Sequence, residues 1–337
     1  MVDSLLSYAA AFFPVIFFLA ALRMMDSYKL VPPNRIAVAL AYGVSAAGIS
    51  YLINTLAFRV FPAEGFTRFG APLVEEFAKA GYWIFLIATA RAAFMVDAGI
   101  CAFAVGAGFA LAENTFYLQG LDVSGVAVSI LRGFGTGLMH GGVGAIAAMV
   151  TVYISERWRW RGPTLFLPGL LAAIVIHSLF NQGLLTPLAS TIAMLLIMPL
   201  LLVGVFVWSE GAMRSWLGDK LDRDIEVLNM IATGELHSSR AGLYLQSLQH
   251  AFPADIRADM LCMMQLTIEL SARAKGELLV REAGLEMPPD PEIDAQFREL
   301  AYLRKSIGPT GLLAVAPLLS QTARELWEMR RLAAAKL

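Results

Sequence analysis

The 337-residue chain is 58% hydrophobic and 16% charged, with a mean hydropathy of +0.63, whereas soluble domains are about one-quarter charged. The formal net charge is −1, so the chain lacks the excess of basic residues typical of nucleic-acid-binding proteins, and we expect no nucleic-acid partner. The two cysteines, Cys101 and Cys262, exclude a disulfide framework and a cysteine-based metal site.

Seven segments in the first part of the chain are long and apolar enough to cross a membrane. A spanning helix needs about 20 mostly apolar residues. The predicted spans cover residues 4–25, 35–58, 71–91, 95–119, 126–155, 164–186 and 188–210. This pattern predicts an all-α, polytopic helix bundle with the lipid bilayer as its solvent.

The composition changes after the seventh span. Residues 211–337 carry 32 of the 53 charged side chains, and their apolar residues recur at helical spacing, as in "MLCMMQLTIELSARAKGELLVREAG". We therefore predict a membrane-embedded domain over residues 1–210 and a soluble helical domain over residues 211–337. The sequence does not identify a partner for this second domain.

Lysine and arginine are distributed unevenly between the loops. Loops on the cytoplasmic side are enriched in these residues. With the N-terminus outside, the inner loops hold Arg23, Lys29, Arg35, Arg91, Arg157, Arg159 and Arg161. The outer side then holds Arg59, Arg68 and Arg132. We predict a protein integral to the cytoplasmic membrane, with its N-terminus outside and its C-terminal domain in the cytoplasm.

Several polar side chains fall inside the predicted spans. A charged residue at the centre of a span costs roughly 2.5–3.5 kcal/mol on insertion scales, and such residues usually face a cavity and mark function. The ionisable ones are Glu75, Glu76, Lys79, Glu113, His140 and His177, and Asn114 and Asn181 accompany them.

These groups fall at a similar depth. A helix rises about 1.5 Å per residue, and consecutive spans run in opposite directions. Counting from the span ends places Glu75 and Glu113 in the outer half of the bilayer and His140 near its middle. His177 and Asn181 also fall in the outer half. Because four spans agree in depth, we predict one shared polar cavity.

Helical spacing adds local detail to this cavity. Lys79 lies four residues after Glu75 and three after Glu76, so its ammonium can neutralise one of the two acids. Phe109 and Glu113 share a helix face in the same way.

The residue types in the cavity favour hydrolysis. A carboxylate can act as a general base on water, and His or Asn side chains can donate hydrogen bonds to a developing oxyanion. A divalent metal such as Zn²⁺ is an alternative, held by Glu76, Glu113, His140 and His177. A proton-coupled transporter and a structural membrane scaffold are the non-enzyme alternatives.

Four motifs, taken in order, resemble those of PrsW-type intramembrane proteases. "APLVEEFAKA" resembles the EExxK motif of these enzymes, and "FALAEN" resembles their FxxxEN motif. His140 and "HSLFN" resemble their later histidine motifs. The resemblance covers roughly residues 1–210, and it is specific through the order and spacing of the four motifs together.

The resemblance implies roles for individual residues. In the wider superfamily, which includes the CAAX prenyl proteases and bacteriocin-processing enzymes, a glutamate activates water. By this analogy Glu75 is the base, Glu76 orients the site with Lys79 as its partner, and His177 and Asn181 serve the oxyanion. Glu113 and His140 complete the catalytic set, and Asn114 and Phe109 support it.

The resemblance also predicts an activity. It implies an intramembrane endopeptidase that needs no cofactor and cleaves a membrane-protein substrate, with a membrane-bound anti-sigma factor as the substrate by analogy. The CAAX enzymes have FxxxH where this chain has Phe109 and Glu113. This departure concerns the role of Glu113 and keeps the zinc-dependent alternative open.

Overall fold

The computed structural model describes residues 2–120, 126–285, 287–288, 290–319 and 322–334. Helices account for 86% of the chain, and these described residues contain no strand, which confirms the predicted all-α class. The chain divides into two compact units, Met1–Glu210 and Gly211–Leu337.

The first unit is a bundle in which short connections join long helices. Its helices are α1 (Val2–Met24), α2 (Pro33–Ala57), α3 (Ala63–Gly65), α4 (Ala71–Ala88), α5 (Met95–Gly120), α6 (Val126–Leu131), α7 (Leu138–Trp158), α8 (Leu167–Asn181) and the first part of α9 (Pro187–Ala232). Two π-helical segments, Phe66–Gly70 and Arg132–Gly137, lead directly into α4 and α7. Such segments are often found at functional sites.

Six helical segments in the described part of the chain are long and apolar enough to cross a membrane. They are Leu5–Met24, Pro33–Ala57, Met95–Gln119, Val126–Trp158, Pro163–Asn181 and Pro187–Ala232. The third predicted span corresponds to α4, which is not among them because its 18 residues include Glu75, Glu76 and Lys79. Instead, α4 packs against α2, α5 and α8.

The centre of the first unit is formed by α5 and α7, which are buried along most of their length. The two backbones approach closely at Gly106, where a Cβ atom would lie 2.2 Å from the carbonyl oxygen of His140. Only glycine fits at such an approach. This contact sets the imidazole of His140 against the α5 face that carries Phe109 and Glu113.

The exterior of the first unit is apolar. Large hydrophobic side chains are exposed along its peripheral helices, among them Phe13, Leu52, Leu171 and Leu200. A water-soluble protein rarely exposes so extensive an apolar surface. With its polar side chains buried and its apolar ones outside, this unit is suited to lipid.

The second unit contains the remainder of α9 and the helices α10 (Arg240–Ser247), α11 (Ala254–Glu282), α12 (Glu292–Val315) and α13 (Ala323–Ala334). Its core contains Met260, Leu270, Leu300 and Leu303. A kink interrupts α12 at Gly308, whose φ of 71° is in the left-handed region, and Pro309 follows it.

Candidate active site

Four helices of the first unit bring the predicted polar residues to one place. Glu75, Glu76 and Lys79 come from α4, Glu113 from α5, His140 from α7 and His177 from α8. We call these six residues the polar cluster. Direct contacts link its members, as the distances below describe.

One oxygen of Glu76 receives two contacts within the polar cluster. Lys79 Nζ donates to Glu76 Oε1 at 2.5 Å, and His177 Nδ1 lies 2.7 Å from the same oxygen. The side chains of Glu76 and Lys79 are each 2% exposed. Since a carboxylate only accepts hydrogen bonds, His177 donates through Nδ1, and its Nε2 keeps the lone pair.

His140 lies between a cation and a carboxylate. Its Nδ1 is 3.0 Å from Lys79 Nζ, and its Nε2 is 2.9 Å from Glu113 Oε2. An ammonium group only donates, so Nδ1 accepts from Lys79 and Nε2 carries the proton that binds Glu113. The imidazole rings of His140 and His177 meet edge to face, with centroids 4.9 Å apart.

Glu75 faces the lone pair of His177. Its Oε2 lies 3.8 Å from His177 Nε2, and Asn54 Nδ2 on α2 donates to its Oε1 at 3.2 Å. The side chain of Glu75 is 15% exposed, compared with 2% for Glu76. The two adjacent glutamates therefore have different surroundings: Glu76 is buried and accepts from Lys79 and His177, whereas Glu75 is partly exposed and directs one oxygen at the other imidazole nitrogen of His177.

Glu113 is held from the other side by Arg132, which begins the second π-helical segment. Arg132 Nη2 lies 3.4 Å from Glu113 Oε1, and Arg132 Nε donates to Asn114 Oδ1 at 3.0 Å. The guanidinium carbon is 3.8 Å from the centroid of the Tyr117 ring. Asn114 also donates to the carbonyl oxygen of Ala11, so this group of contacts ties α1, α5 and Arg132 together.

Phe109 and Asn181, the other predicted site residues, have different positions. The Phe109 ring lies 4.9 Å from the His140 ring, and Lys79 Nζ lies 4.9 Å from the Phe109 centroid. Asn181 Nδ2 donates to the carbonyl oxygen of Thr67 in the first π-helical segment, at 3.1 Å. In the described part of the chain, Asn181 has no hydrogen bond to the polar cluster.

Sequence reasoning assigned no site role to Asn54 or Arg132. Asn54 is an amide inside an apolar span, which is itself a signal of an interhelical hydrogen bond. Arg132 entered the sequence argument only as a charge near a span end. Its contact with Glu113 joins the second π-helical segment to α5, so no spacing rule predicts it.

Glu75, His140 and His177 form a group that fits a metal ion. One ligand atom from each residue lies within 4.8 Å of the others. One carboxylate and two imidazoles, with a position left open, are a typical catalytic zinc site. Glu76 and Glu113 contact ring nitrogens of His177 and His140, as carboxylates often do behind metal-binding histidines. This group shares both histidines with the metal set predicted from the sequence.

Comparison with known families gave one match. The family model described as "PrsW family intramembrane metalloprotease" matches residues 31–208. No curated protein and no solved structure matches the chain.

The match corrects the predicted cofactor. The prediction that the enzyme needs no cofactor is wrong, because the family consists of metalloproteases and the donor atoms of Glu75, His140 and His177 can hold a metal ion. The prediction put acid–base chemistry of the carboxylates first and kept a Zn²⁺ site only as the alternative.

The matched region is more than half of the chain and contains the whole polar cluster. The match confirms the predicted peptidase activity and implies a membrane-protein substrate. The apolar helices support an integral membrane protein. The chain belongs to the PrsW family of intramembrane metalloproteases.

Proposed function

We propose that this enzyme is a metal-dependent endopeptidase that cleaves a single-span membrane protein in the outer half of the bilayer, using the polar cluster as its active site. The observation that supports this most strongly is the convergence of Glu75, His140 and His177, whose ligand atoms lie within 4.8 Å of one another. Polar residues with separate structural roles would not place their ligand atoms around one point.

Glu75, His140 and His177 would hold a divalent cation such as Zn²⁺. When bound, the ion supplies a Lewis acid that polarises the scissile carbonyl and a water molecule. Glu76 fixes His177 so that its Nε2 lone pair faces Glu75, and Glu113 fixes His140 through Nε2. His140 would offer Nδ1 as a ligand if Lys79, which now donates to that nitrogen, kept only its bond to Glu76.

Glu113 is the carboxylate best placed to take a proton from water. Its side chain is 25% exposed, more than that of Glu75 or Glu76. It faces the ligand group through His140, and Arg132 limits its movement. We therefore assign Glu113 as the general base and Glu75 as a ligand, in place of the assignment of Glu75 as the base that the motif resemblance implies.

Asn181 is assigned a supporting part in this proposal. Its amide holds the π-helical segment that precedes α4, and α4 carries Glu75 and Glu76. The oxyanion role expected for Asn181 stays a prediction. An Asn181→Ala variant tests it, since loss of an oxyanion donor costs about 10²–10³ in kcat.

The topology proposed here places the N-terminus outside and residues 211–337 in the cytoplasm, within the cytoplasmic membrane. The basic residues of the loops support it, because Arg157, Arg159 and Arg161 then lie inside. A membrane-bound anti-sigma factor, the substrate implied by the motif resemblance, would present its cleavage site on the outer side.

The test uses cleavage of single-span membrane proteins tagged at both ends, produced together with the enzyme and then assayed in isolated membranes. A chelator should stop cleavage, and added Zn²⁺ should restore it. Glu75→Ala and His177→Ala should abolish cleavage because they remove ligands. Glu113→Gln should abolish it while the metal is retained, because glutamine still accepts from His140 but is not basic.

Glu64→Gln is the matched control, since Glu64 is an exposed glutamate that pairs with Arg68 and lies outside the polar cluster. Full activity in both the Glu75 and His177 variants would overturn the proposal. Cleavage that persists after complete metal removal would overturn the metal-dependent mechanism.

A further inference from the structure

The second unit contains a cavity of about 680 Å³. It is bounded by the later part of α9 and by α11, α12 and α13, together with residues 318–319. Pockets that bind drug-sized ligands span about 300–1,000 Å³ and often lie between the helices of a bundle. The cavity is therefore large enough for an organic ligand, and it lies outside the membrane-embedded unit.

Most of the cavity wall is apolar. All four helices contribute aliphatic, aromatic or thioether side chains to it, and these include Val227, Met263, Ile268, Phe297, Leu300 and Met329. Such a lining favours a ligand with an apolar body, because burying apolar surface provides about 25 cal/mol per Å².

The acidic side chains of the lining already have cationic partners. Asp224 accepts from Lys275 Nζ at 2.9 Å, and Glu325 accepts from Lys220 Nζ at 3.2 Å. Lys275 itself is buried, at 1% exposure. Each of these two carboxylates thus already has a lysine partner.

Arg223 and Arg304 supply charge that the lining does not neutralise. Arg223 comes from α9 and Arg304 from α12, and both line the cavity. Among the residues described in the structure, no carboxylate forms an ion pair with either guanidinium. Each guanidinium can bind a carboxylate or phosphate through two parallel hydrogen bonds. The cavity thus combines an apolar wall with cationic groups from two of its helices.

We propose that this cavity binds an anionic amphiphile, a small molecule with an apolar chain and one carboxylate or phosphate head group. The chain lies against the apolar wall, and the head group is bound by Arg223 and Arg304. The site is separate from the polar cluster, so the proposal does not depend on the mechanism of proteolysis.

Equilibrium binding to the full-length protein in nanodiscs tests the proposal, with empty nanodiscs correcting for partition into lipid. The labelled probe is decanoate, and the competitors are decyl phosphate, decanol and inorganic phosphate. Decanoate should bind saturably. Competition by decyl phosphate shows whether a phosphate head is accepted as well, whereas decanol and inorganic phosphate should compete at least tenfold more weakly, because each lacks one half of the recognised chemistry.

Variants locate the site. Arg223→Gln and Arg304→Gln should each weaken decanoate binding about tenfold, since hydrogen bonds to charged groups are the stronger class. Ala301→Phe, which introduces a ring into the cavity and leaves every charge in place, should abolish binding. Arg298→Gln is the matched control, because Arg298 is exposed on the same helix as Arg304 and does not line the cavity.

Three results would overturn the proposal. They are the absence of saturable binding, equal competition by decanol, and equal weakening by Arg298→Gln. If Ala301→Phe does not fold, as judged by its thermal unfolding, the two glutamine variants decide the matter, since they change exposed side chains that have no structural partner in the described residues.

Discussion

Lys79 contacts two members of the polar cluster at once, Glu76 Oε1 at 2.5 Å and His140 Nδ1 at 3.0 Å. It is buried together with Glu76, so each charge depends on the other for compensation. A buried ion pair adds little net stability, but removing one partner leaves an uncompensated charge, which is strongly destabilising. Lys79 is therefore required for a glutamate to be tolerated at position 76.

We predict that Lys79→Met lowers the free energy of unfolding by about 3–5 kcal/mol. The double variant Lys79→Met/Glu76→Gln should recover most of this loss, since it removes both charges together. Thermal unfolding in detergent measures both effects. A single variant that melts at the wild-type temperature would contradict this account of Lys79.

Arg132 acts on the site through Glu113 and does not contact the ligand group directly in the described contacts. We predict that Arg132→Gln weakens metal affinity about tenfold, at the lower end of the range for groups that orient metal-binding histidines. Arg132→Lys, which keeps the charge but loses the planar fork, should give an intermediate value. Metal titration provides this measurement independently of proteolysis.

A purely structural role for Arg132 would give a different outcome. The Arg132→Gln variant would then lose thermal stability while its metal affinity stayed at the wild-type value. That combination would remove Arg132 from the account of the active site.

Local spacing predicted some contacts of the site, and tertiary packing determined the others. The Glu76–Lys79 pair lies three residues apart on one helix, so helix geometry alone brings the two groups together. The contacts of Asn54 with Glu75 and of Arg132 with Glu113 join residues from different helices. Asn181 binds Thr67 because a π-helical segment presents that carbonyl oxygen, and no pattern in the sequence indicated this segment.

Among the elements of the first unit, α4 combines a polar and an apolar face. Its polar residues face α2, α5, α7 and α8, while Phe77 and Leu73 are exposed. Its three charged residues keep it out of the segments that meet the length and composition of a span in the structure, although the sequence analysis counted residues 71–91 as a span. The three charged residues that exclude α4 from the candidate spans, Glu75, Glu76 and Lys79, are members of the polar cluster.

In the second unit, Lys275 connects three helices. It pairs with Asp224 on α9 at 2.9 Å and with Glu328 on α13 at 3.1 Å. One ammonium thus faces two carboxylates, and Glu325 adds a further negative charge on α13. Burial is the main cause that raises the pKa of Glu328 from 4.5 to about 7, against the lowering effect of Lys275.

We predict that this carboxyl makes the second unit less stable as the pH rises. Because its pKa is higher in the folded state, the folded state binds the proton more tightly. The stabilisation is complete below about pH 4.5 and is lost as the pH passes through about 7, by up to roughly 3 kcal/mol. Amide hydrogen exchange of α11 and α13 at pH 5.5 and pH 8, corrected for the intrinsic exchange rate, measures this loss of stability.

Glu328→Gln should remove this pH dependence and leave the protection of both helices nearly constant. Glu299→Gln is a control, since Glu299 is exposed on α12. An unchanged pH dependence in the Glu328 variant would assign the effect to another group.

For the whole molecule, composition was sufficient to predict the fold class. Apolar segments of span length and a charge-rich C-terminal part indicated an all-α membrane protein, which the structure confirms. The metal was only the alternative in the sequence prediction for a physical reason: the same carboxylate and imidazole groups serve either as acid–base groups or as ligands. Only the distances between Glu75, His140 and His177 distinguish a ligand group.

The proposed topology is testable with the natural cysteines. Cys262 is exposed in the second unit, and Cys101 is buried in α5. We predict that a membrane-impermeant maleimide labels Cys262 in inside-out vesicles and leaves it unlabelled in intact spheroplasts, because the proposed topology places residues 211–337 in the cytoplasm. A Cys262→Ser variant controls for labelling elsewhere, and labelling of intact spheroplasts would contradict the topology.

The most direct test of the central claim is the metal content of the purified, detergent-solubilised protein, measured by mass spectrometry of the elements. The account predicts about one divalent ion per chain in the wild-type protein, as expected for a catalytic site. Folded His177→Ala and Glu75→Ala variants should retain roughly one-tenth of it or less. A wild-type protein that cleaves its substrate without stoichiometric metal, or folded ligand variants that keep the full equivalent, would contradict the account.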